Sequence, residues 1–484
     1  MSITNSPNPS QASWSNRLTR SDKTLKVHLI GIGGTGLSAI ATVLLEMGLH
    51  VSGSDRQANI RTEKLAELGG HIFLEQVAAN LTDMAADQRP DVVLISSAIS
   101  PENPERQAAS ALGLPIVKRS EFLGHLLGQR RVIAVAGTHG KSTTTAMIVQ
   151  MLHEAGIDAG YIVGTTLAGY GNAKAGRSLY FVIEADEYDH MFLGLRPAIA
   201  VITNVEWDHP DCYPTPSSFR RAFIQFVDQV PKDGQIISCA DDIGAEEIRS
   251  FGSSRSRRWI TYGLAPAANL WATNPKPLQD AGYGSALQWW SQNVGHLQMQ
   301  VPGLHNLRNA MAAMCVARSC NLSLIKAAQS LGNFRGTARR FEHKGSERGV
   351  TVYDDYAHHP TEVTATLSAA RQRHPGKRIW AVIQPHTFSR TRNVMAEMAY
   401  SFGGADQVIV TDIYASREVD DGSISAADLV AASSHPAIRH ISGLDQAADY
   451  LAQHVRPKDV VLTLGAGDSY RIGEMLLERL RNGR

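Results

Sequence analysis

From residue 25 onward the chain alternates short apolar runs with amphipathic stretches of helical spacing. LKVHLIGIG, SAIATVLLEMG, HVSGSD and VVLISSAI at 92–99 make strand–helix–strand units, the pattern of a parallel sheet covered by helices. The basic stretch VKRSEFLGHLLGQRR at 117–131 reads as helical, and VIAVA at 132–136 opens a second series as a compact strand. TTTAMIVQMLHEAG follows with helical spacing that ends on glycine, and further strands are predicted at YFVIEA, 180–185, and AIAVITNV, 198–205. Residues 252–300 are rich in Ser, Gly, Pro and Trp with short polar–apolar alternations, which predicts strands and loops outside the main sheet. After the helical PGLHNLRNAMAAMCVA, a third alternating region runs through VTVYDDYA, IWAVIQPH, QVIVTDIY and DVVLTLGAG. The expected fold class is α/β in three domains, 25–127, 128–336 and 337–484, with boundaries near 128 and 337. Residues 1–24 are expected to be a disordered leader; they lack the apolar core of a secretory signal, and their Ser-rich, acid-poor composition leaves an organelle transit peptide as the alternative.

Composition sharpens this picture at a few points. At 484 residues the chain is too long for one compact core. Its 47 Lys plus Arg against 46 Asp plus Glu give no electrostatic footprint of a nucleic-acid binder. Four cysteines, Cys212, Cys239, Cys315 and Cys320, show no paired CxxC spacing, which favours a reducing compartment. No apolar run approaches the length of a membrane span.

The chemistry concentrates where strands end. The strand VIAVA leads directly into Gly137-Thr138-His139-Gly140-Lys141-Ser142-Thr143 and then a helix, so backbone N–H groups and a helix N-terminus face a common anion. Lys141 would neutralise a triphosphate and the Ser142 hydroxyl would reach Mg²⁺. The usual phosphate loop has a glycine five residues before Gly140, where this chain has Val135. The alternative is an ordinary turn bearing a surface lysine, which the flanking strand and helix disfavour. EADEYDH and NVEWDHPD follow the strands YFVI and AIAVIT, where ligands of α/β sheets collect, and Glu184 and His209 are the candidate Mg²⁺ contacts. Upstream, GIGGTG with Gly31, Gly33 and Gly36, followed by Asp55, reads alone as a dinucleotide site. The same geometry binds any diphosphate, and two successive phosphate-binding elements suggest ATP energy applied to a second diphosphate-bearing substrate; a UDP-sugar would fit.

HLIGIGGTGLSAIA, VSGSD, ISSAISPENPE, GTHGKSTTT, EADEYD, TNVEWDH, PGLHNLRNA, RGTARRFE, YDDYAHHPTEV and QPHTFSRTR occur in this order, and through them the chain resembles the Mur ligases of peptidoglycan synthesis from residue 25 to its end. The resemblance implies a Rossmann-like UDP-sugar domain, a central P-loop-type ATPase domain with a parallel sheet, and a C-terminal Rossmann-like amino-acid domain. In this family the shortened loop GT-x-GK-[ST] is the normal form.

By matching motif, Gly137 to Thr143 would wrap the ATP phosphates, with Lys141 on the β and γ groups. Ser142 and Glu184 would serve one Mg²⁺ and His209 a second; Asn306 would contact adenine, Arg340 the γ-phosphate and Asp355 the ribose. Gly33, Gly34 and Thr35 would lie against the UDP diphosphate. Tyr356, His358 and Arg390 would line the region where substrate carboxylate and amino acid meet, with Lys141, His358 and Arg390 as the catalytic set. Several relatives carry a carbamylated lysine near the second metal, yet Pro210 to Pro231 contains no lysine, which fits the alanine-adding branch. Thr387 stands where the family's QPHR often has arginine.

The implied activity is ATP-dependent ligation of L-alanine to UDP-N-acetylmuramate through an acyl phosphate. The implied setting is cytoplasmic, with a monomer or weak homodimer and no nucleic-acid partner. A ligase that recycles preformed murein peptides, a nicotinamide-dependent oxidoreductase and a non-catalytic nucleotide sensor are the competing readings.

Overall fold

The computed structural model describes residues 9–251, 256–278, 282–416 and 418–483. Among them are three sheets, each covered by helices. The first has five parallel strands, ordered His71–Phe73, His50–Ser54, Lys26–Ile30, Val92–Ile95, Ile116–Lys118 from edge to edge. This order reverses direction beside Lys26–Ile30, and the glycine loop GIGGTG leaves that strand at the switch point, where α/β sheets bind ligands.

The second sheet has ten strands, with Arg131–Ala136 between Ile199–Ile202 and Tyr180–Glu184, all three parallel. Ile199–Ile202 is buried along its whole length, the continuous apolar run expected of a strand covered on both faces. Helices Lys141–Glu154 and Leu304–Ser319 cover one face through Met147, Ile148, Met311 and Met314. Phe192, Phe223 and Phe226 cover the other, with Phe192 stacked on Phe226 at 4.9 Å. The third sheet runs Glu342–Glu347, Val350–Asp355, Val460–Leu464, Ile379–Ile383, Gln407–Val410, Ile438–His440, antiparallel only in its first pair. The carboxyl ends of Arg131–Ala136, Tyr180–Glu184 and Ile199–Ile202 face the carboxyl end of Val350–Asp355 across the junction, as the contacts below show.

Two expectations are corrected. The segment expected to lie outside the main sheet instead extends it, apart from residues 252–255 and 279–281, which fall outside the described residues. Trp259–Gly263 pairs parallel with Gln235–Cys239, and the strands Leu270–Pro277, Tyr283–Trp289 and Gln292–Met299 continue the sheet. Their alternation is that of a sheet with one face covered: Leu270, Ala272, Leu287, Leu297 and Met299 are buried in the core that holds the Leu304–Ser319 helix.

The leader is not disordered in its described part. Pro9–Thr19 is a helix, and residues 1–8 lie outside the described residues. Trp14 and Leu18, four apart and therefore on one helical face, are 2% and 1% exposed. Trp14 stacks on Phe122 at 5.9 Å, and Arg17 binds Asp22 at 2.8 Å and Asp91 at 2.6 Å. Because this anchoring rests on one large buried ring, Trp14→Ala should cost about 3 kcal/mol in urea unfolding; an unchanged midpoint would contradict the anchoring.

Candidate active site

The shortened phosphate loop is braced by its neighbour. Val135, in the place of the missing glycine, is fully buried and paired with Val201, so the loop begins only at Gly137. Thr138 N–H donates to Asn204 O at 3.2 Å, His139 N–H to Asn204 Oδ1 at 2.8 Å, and Thr138 Oγ1 to Glu206 O at 2.6 Å. Gly137 has φ 138° and Gly140 φ 79°, and a methyl group at either would overlap Thr203 Oγ1 or Asn309 Oδ1 respectively. The first bond returning into the following helix is Thr144 N–H to Gly140 O at 2.9 Å. The amides of Lys141, Ser142 and Thr143 therefore precede the helical ladder and point out of its N-terminus.

Lys141 is folded back over this loop. Its ammonium donates to Gly137 O at 2.6 Å, Thr138 O at 3.1 Å and Glu187 Oε1 at 3.0 Å. Burial disfavours its charge, but Glu187, Asp186 and Glu184 outweigh burial and raise its pKa. Ser142 Oγ donates to Glu184 Oε1 at 2.9 Å, so a hydroxyl and a carboxylate stand together, hard oxygens of the kind Mg²⁺ takes. His209, the other metal candidate, has both ring nitrogens engaged: Nε2 lies 3.3 Å from Glu187 and Nδ1 3.2 Å from Arg390 Nη2.

The third domain reaches into the same place. Arg340 Nη2 lies 3.4 Å from Ser142 Oγ, its guanidinium over the Tyr356 ring at 5.0 Å. Thr165 Oγ1 donates to Ala338 O at 2.7 Å, and Arg390 grips Asp208 with Nε at 2.9 Å and Nη2 at 3.2 Å. Burial opposes ionisation of Asp208, yet Arg390 holds its carboxyl far below the usual range. His139 Nδ1 meets Glu362 at 3.1 Å and its Nε2 meets Glu206 at 2.9 Å; burial opposes the imidazolium, but the two carboxylates push its pKa up to about 9. His358 goes the other way, lowered to about 3 by burial, with Glu362 opposing and Arg390 reinforcing. Its Nδ1 donates to Tyr356 O at 3.0 Å, the tautomer that leaves Nε2 as an acceptor. Thr387, in the place of the frequent arginine, caps the helix Phe388–Asn393, so the cation of this segment in the junction is Arg390, within that helix.

A cavity of about 320 Å³ opens between these parts, lined by Gly140, Thr143, Asn306, Arg340 and Asp355 among others. Asn306 is fixed on its wall by donating from Nδ2 to Pro302 O at 2.8 Å. Asp355 accepts from the amides of Phe341 and Ala357, both at 2.8 Å.

Family models match over nearly the whole chain: "Mur ligase family, catalytic domain" over residues 26–131, "Mur ligase middle domain" over 135–317 and "Mur ligase, glutamate ligase domain" over 339–467. The UDP-N-acetylmuramate–L-alanine ligase of Desulforamulus reducens is 41% identical over 463 residues, 95% of this chain and 98% of its own. The chain belongs to the Mur ligase family. The same-named ligase of Alkaliphilus metalliredigens is 39% identical, covering 93% of this chain and 96% of its own. Among solved structures, a UDP-N-acetylmuramate–alanine ligase from Thermotoga maritima superposes with a TM-score of 0.78 at 27% identity, over 95% of this chain and all of that one. A murein peptide ligase from Psychrobacter arcticus reaches 0.72 at 27% identity, over 95% and 99%.

In this Mur ligase the structure brings Gly137 to Thr143, Glu184, His209, Arg340, Tyr356, His358 and Arg390 into one junction, with Asn306 and Asp355 on its cavity. Gly33, Gly34 and Thr35 stand apart on the first sheet, Gly33 N–H donating to Asp55 Oδ2 at 2.8 Å. Asp55 is thus tied to the glycine loop's own backbone. Sequence reasoning missed Arg119, which packs against Gly36 and lies 3.8 Å from Asp186, joining the two phosphate-binding elements. It missed Glu187, Glu206, Asp208 and Glu362 as well, although each lies inside a stretch that was singled out; only three-dimensional pairing marks them.

Burial above all raises the Asp355 carboxyl to about 6, with Arg340 opposing. Its folded value exceeds the unfolded one, so folding takes up a proton between pH 4 and 6, and this contribution to stability is lost as pH rises through about 6. The unfolding free-energy difference between the native chain and Asp355→Asn should therefore change by about 2 kcal/mol from pH 4 to pH 7 in urea titrations; a pH-independent difference would refute it.

Proposed function

We propose that this Mur ligase uses ATP to join L-alanine to the lactyl carboxylate of UDP-N-acetylmuramate in peptidoglycan precursor synthesis. The observation that carries the reading is the approach of Arg340 from the third domain to Ser142 of the phosphate loop, which sets a second cation beside the loop that holds Lys141. Full-length similarity to proteins named for this reaction supports it.

A carboxylate is a poor electrophile toward an amine and must be activated. Here its oxygen attacks the γ-phosphorus of ATP, giving an acyl phosphate and ADP; the amine then attacks the acyl carbon and inorganic phosphate leaves. The first step brings an anion to a polyanion, so positive charge must be placed where the transferring phosphoryl group sits. Lys141 and Arg340 provide it from two domains, and Lys141 exchanges its Glu187 contact for phosphate oxygens. Mg²⁺ held by Ser142 and Glu184 would neutralise charge on the β- and γ-phosphates. His209 would join a second metal only by giving up Glu187.

Asn306 and Asp355 would hold adenine and ribose, and Gly33, Gly34 and Thr35 the UDP diphosphate. Arg390, buttressed by Asp208, would orient the substrate carboxylate, and Tyr356 would bound that space. Burial holds the His358 imidazole down to about 3, far less basic than the amine of an amino acid, so His358 acts here as an orienting acceptor rather than the general base. The setting is the cytoplasm, where ATP is available; no described helix is long and apolar enough to cross a membrane.

The test is phosphate release from purified protein with ATP, Mg²⁺ and UDP-N-acetylmuramate, each amino acid and a murein tripeptide being offered separately. Release should require the sugar nucleotide and L-alanine together; a preference for the tripeptide would assign the recycling reaction instead. Lys141→Ala should lower kcat at least a thousandfold while UDP-sugar binding persists, and an active variant would remove Lys141 from its assigned role.

A further inference from the structure

Where His139 of the phosphate loop and Glu206 line the junction's cavity, two histidines and a carboxylate converge that the ligation mechanism does not use as a group. His139 and Glu206 come from the central domain and His359 from the third. One atom from each, two ring nitrogens and a carboxylate oxygen, lie within 4.8 Å of one another. His139 Nε2 is 2.9 Å and His359 Nδ1 4.0 Å from the same atom, Glu206 Oε2. A tetrahedral zinc ion with bonds of about 2.0–2.2 Å needs ligand atoms roughly 3.4 Å apart, so side-chain movements of about 1 Å would complete three corners.

Three further features distinguish this cluster from an incidental hydrogen-bonded group. His359 is 5% exposed, and its buried Nδ1 faces Glu206 Oε2 at 4.0 Å without a hydrogen-bond partner. The far nitrogen of His139, Nδ1, is held by Glu362 at 3.1 Å, the carboxylate–histidine support that fixes ring orientation at metal sites. The far oxygen of Glu206, Oε1, accepts from Thr361 Oγ1 at 2.8 Å, which leaves Oε2 directed at the two rings. His139 and Glu206 thus each have their own support, and His359 Nδ1 has no hydrogen bond to give up.

We propose that His139, Glu206 and His359 form a site for a divalent transition ion of the zinc type, distinct from the Ser142–Glu184 pair, which offers only oxygens. Nitrogen donors suit Zn²⁺ and its neighbours far better than Mg²⁺. Because its ligands come from two domains, the ion latches the third domain onto the phosphate loop, replacing the hydrogen bond between His139 Nε2 and Glu206 Oε2. The proposal does not depend on the reaction assigned above.

The experiment is equilibrium dialysis of chelator-stripped full-length protein, free of nucleotide, against Zn²⁺ with millimolar Mg²⁺ present, paired with Co²⁺ as a spectroscopic probe. The native chain should retain one Zn²⁺ that Mg²⁺ does not displace, and Co²⁺ should give the intense visible absorption of a low-symmetry nitrogen–oxygen site. His359→Ala and Glu206→Gln should each weaken Zn²⁺ at least tenfold, Thr361→Val should weaken it severalfold with the fold intact by circular dichroism, and Ser142→Ala should leave it unchanged. Zinc retention no better than in His359→Ala, or retention abolished by Ser142→Ala, would overturn the proposal.

Discussion

The ammonium of Lys141 is the charge about which the junction is organised. It is buried at the N-terminus of a helix, where the backbone already presents positive character, and a cation there is unstable unless carboxylates compensate it. Glu187 does so by contact and Glu184 and Asp186 by proximity, which is why an acidic motif must follow the adjacent parallel strand. A triphosphate arriving at the loop can replace these carboxylates as the counter-charge. The neighbouring strand's Asn204 and Glu206 hold the loop in shape, so a cradle shorter by one glycine keeps its geometry.

One domain does not supply enough cation for the chemistry proposed, and the third domain brings the rest. Its attachment is mostly polar: Arg340 to Ser142, Glu362 to His139, Thr361 to Glu206, Arg390 to Asp208. Interfaces of this character open and close more readily than apolar ones.

The alternation of apolar runs made the parallel centres of the three sheets and the phosphate loop legible, because a buried strand followed by glycines and a helix leaves a local signature. Trp14 and Leu18 escaped notice because two apolar residues in a polar stretch bury only against Phe122 and its neighbours, far along the chain. The strands between Trp259 and Met299 were recognised as strands but misplaced, since alternation tells which face is covered and not which sheet is joined. The Arg390–Asp208 pair joins residues 182 apart, and the charge states of His139 and His358 depend on carboxylates and cations gathered from two domains. Sequence named most of the positions, and the pairing between them became visible only in three dimensions.

The most direct test of carboxylate activation at this junction follows oxygen rather than product. UDP-N-acetylmuramate carrying ¹⁸O in its lactyl carboxylate, turned over with ATP and L-alanine, should pass one labelled oxygen into each inorganic phosphate released. Phosphate free of label, with amide still formed, would mean that the acid is never phosphorylated and that the cradle built around Lys141 serves some other end.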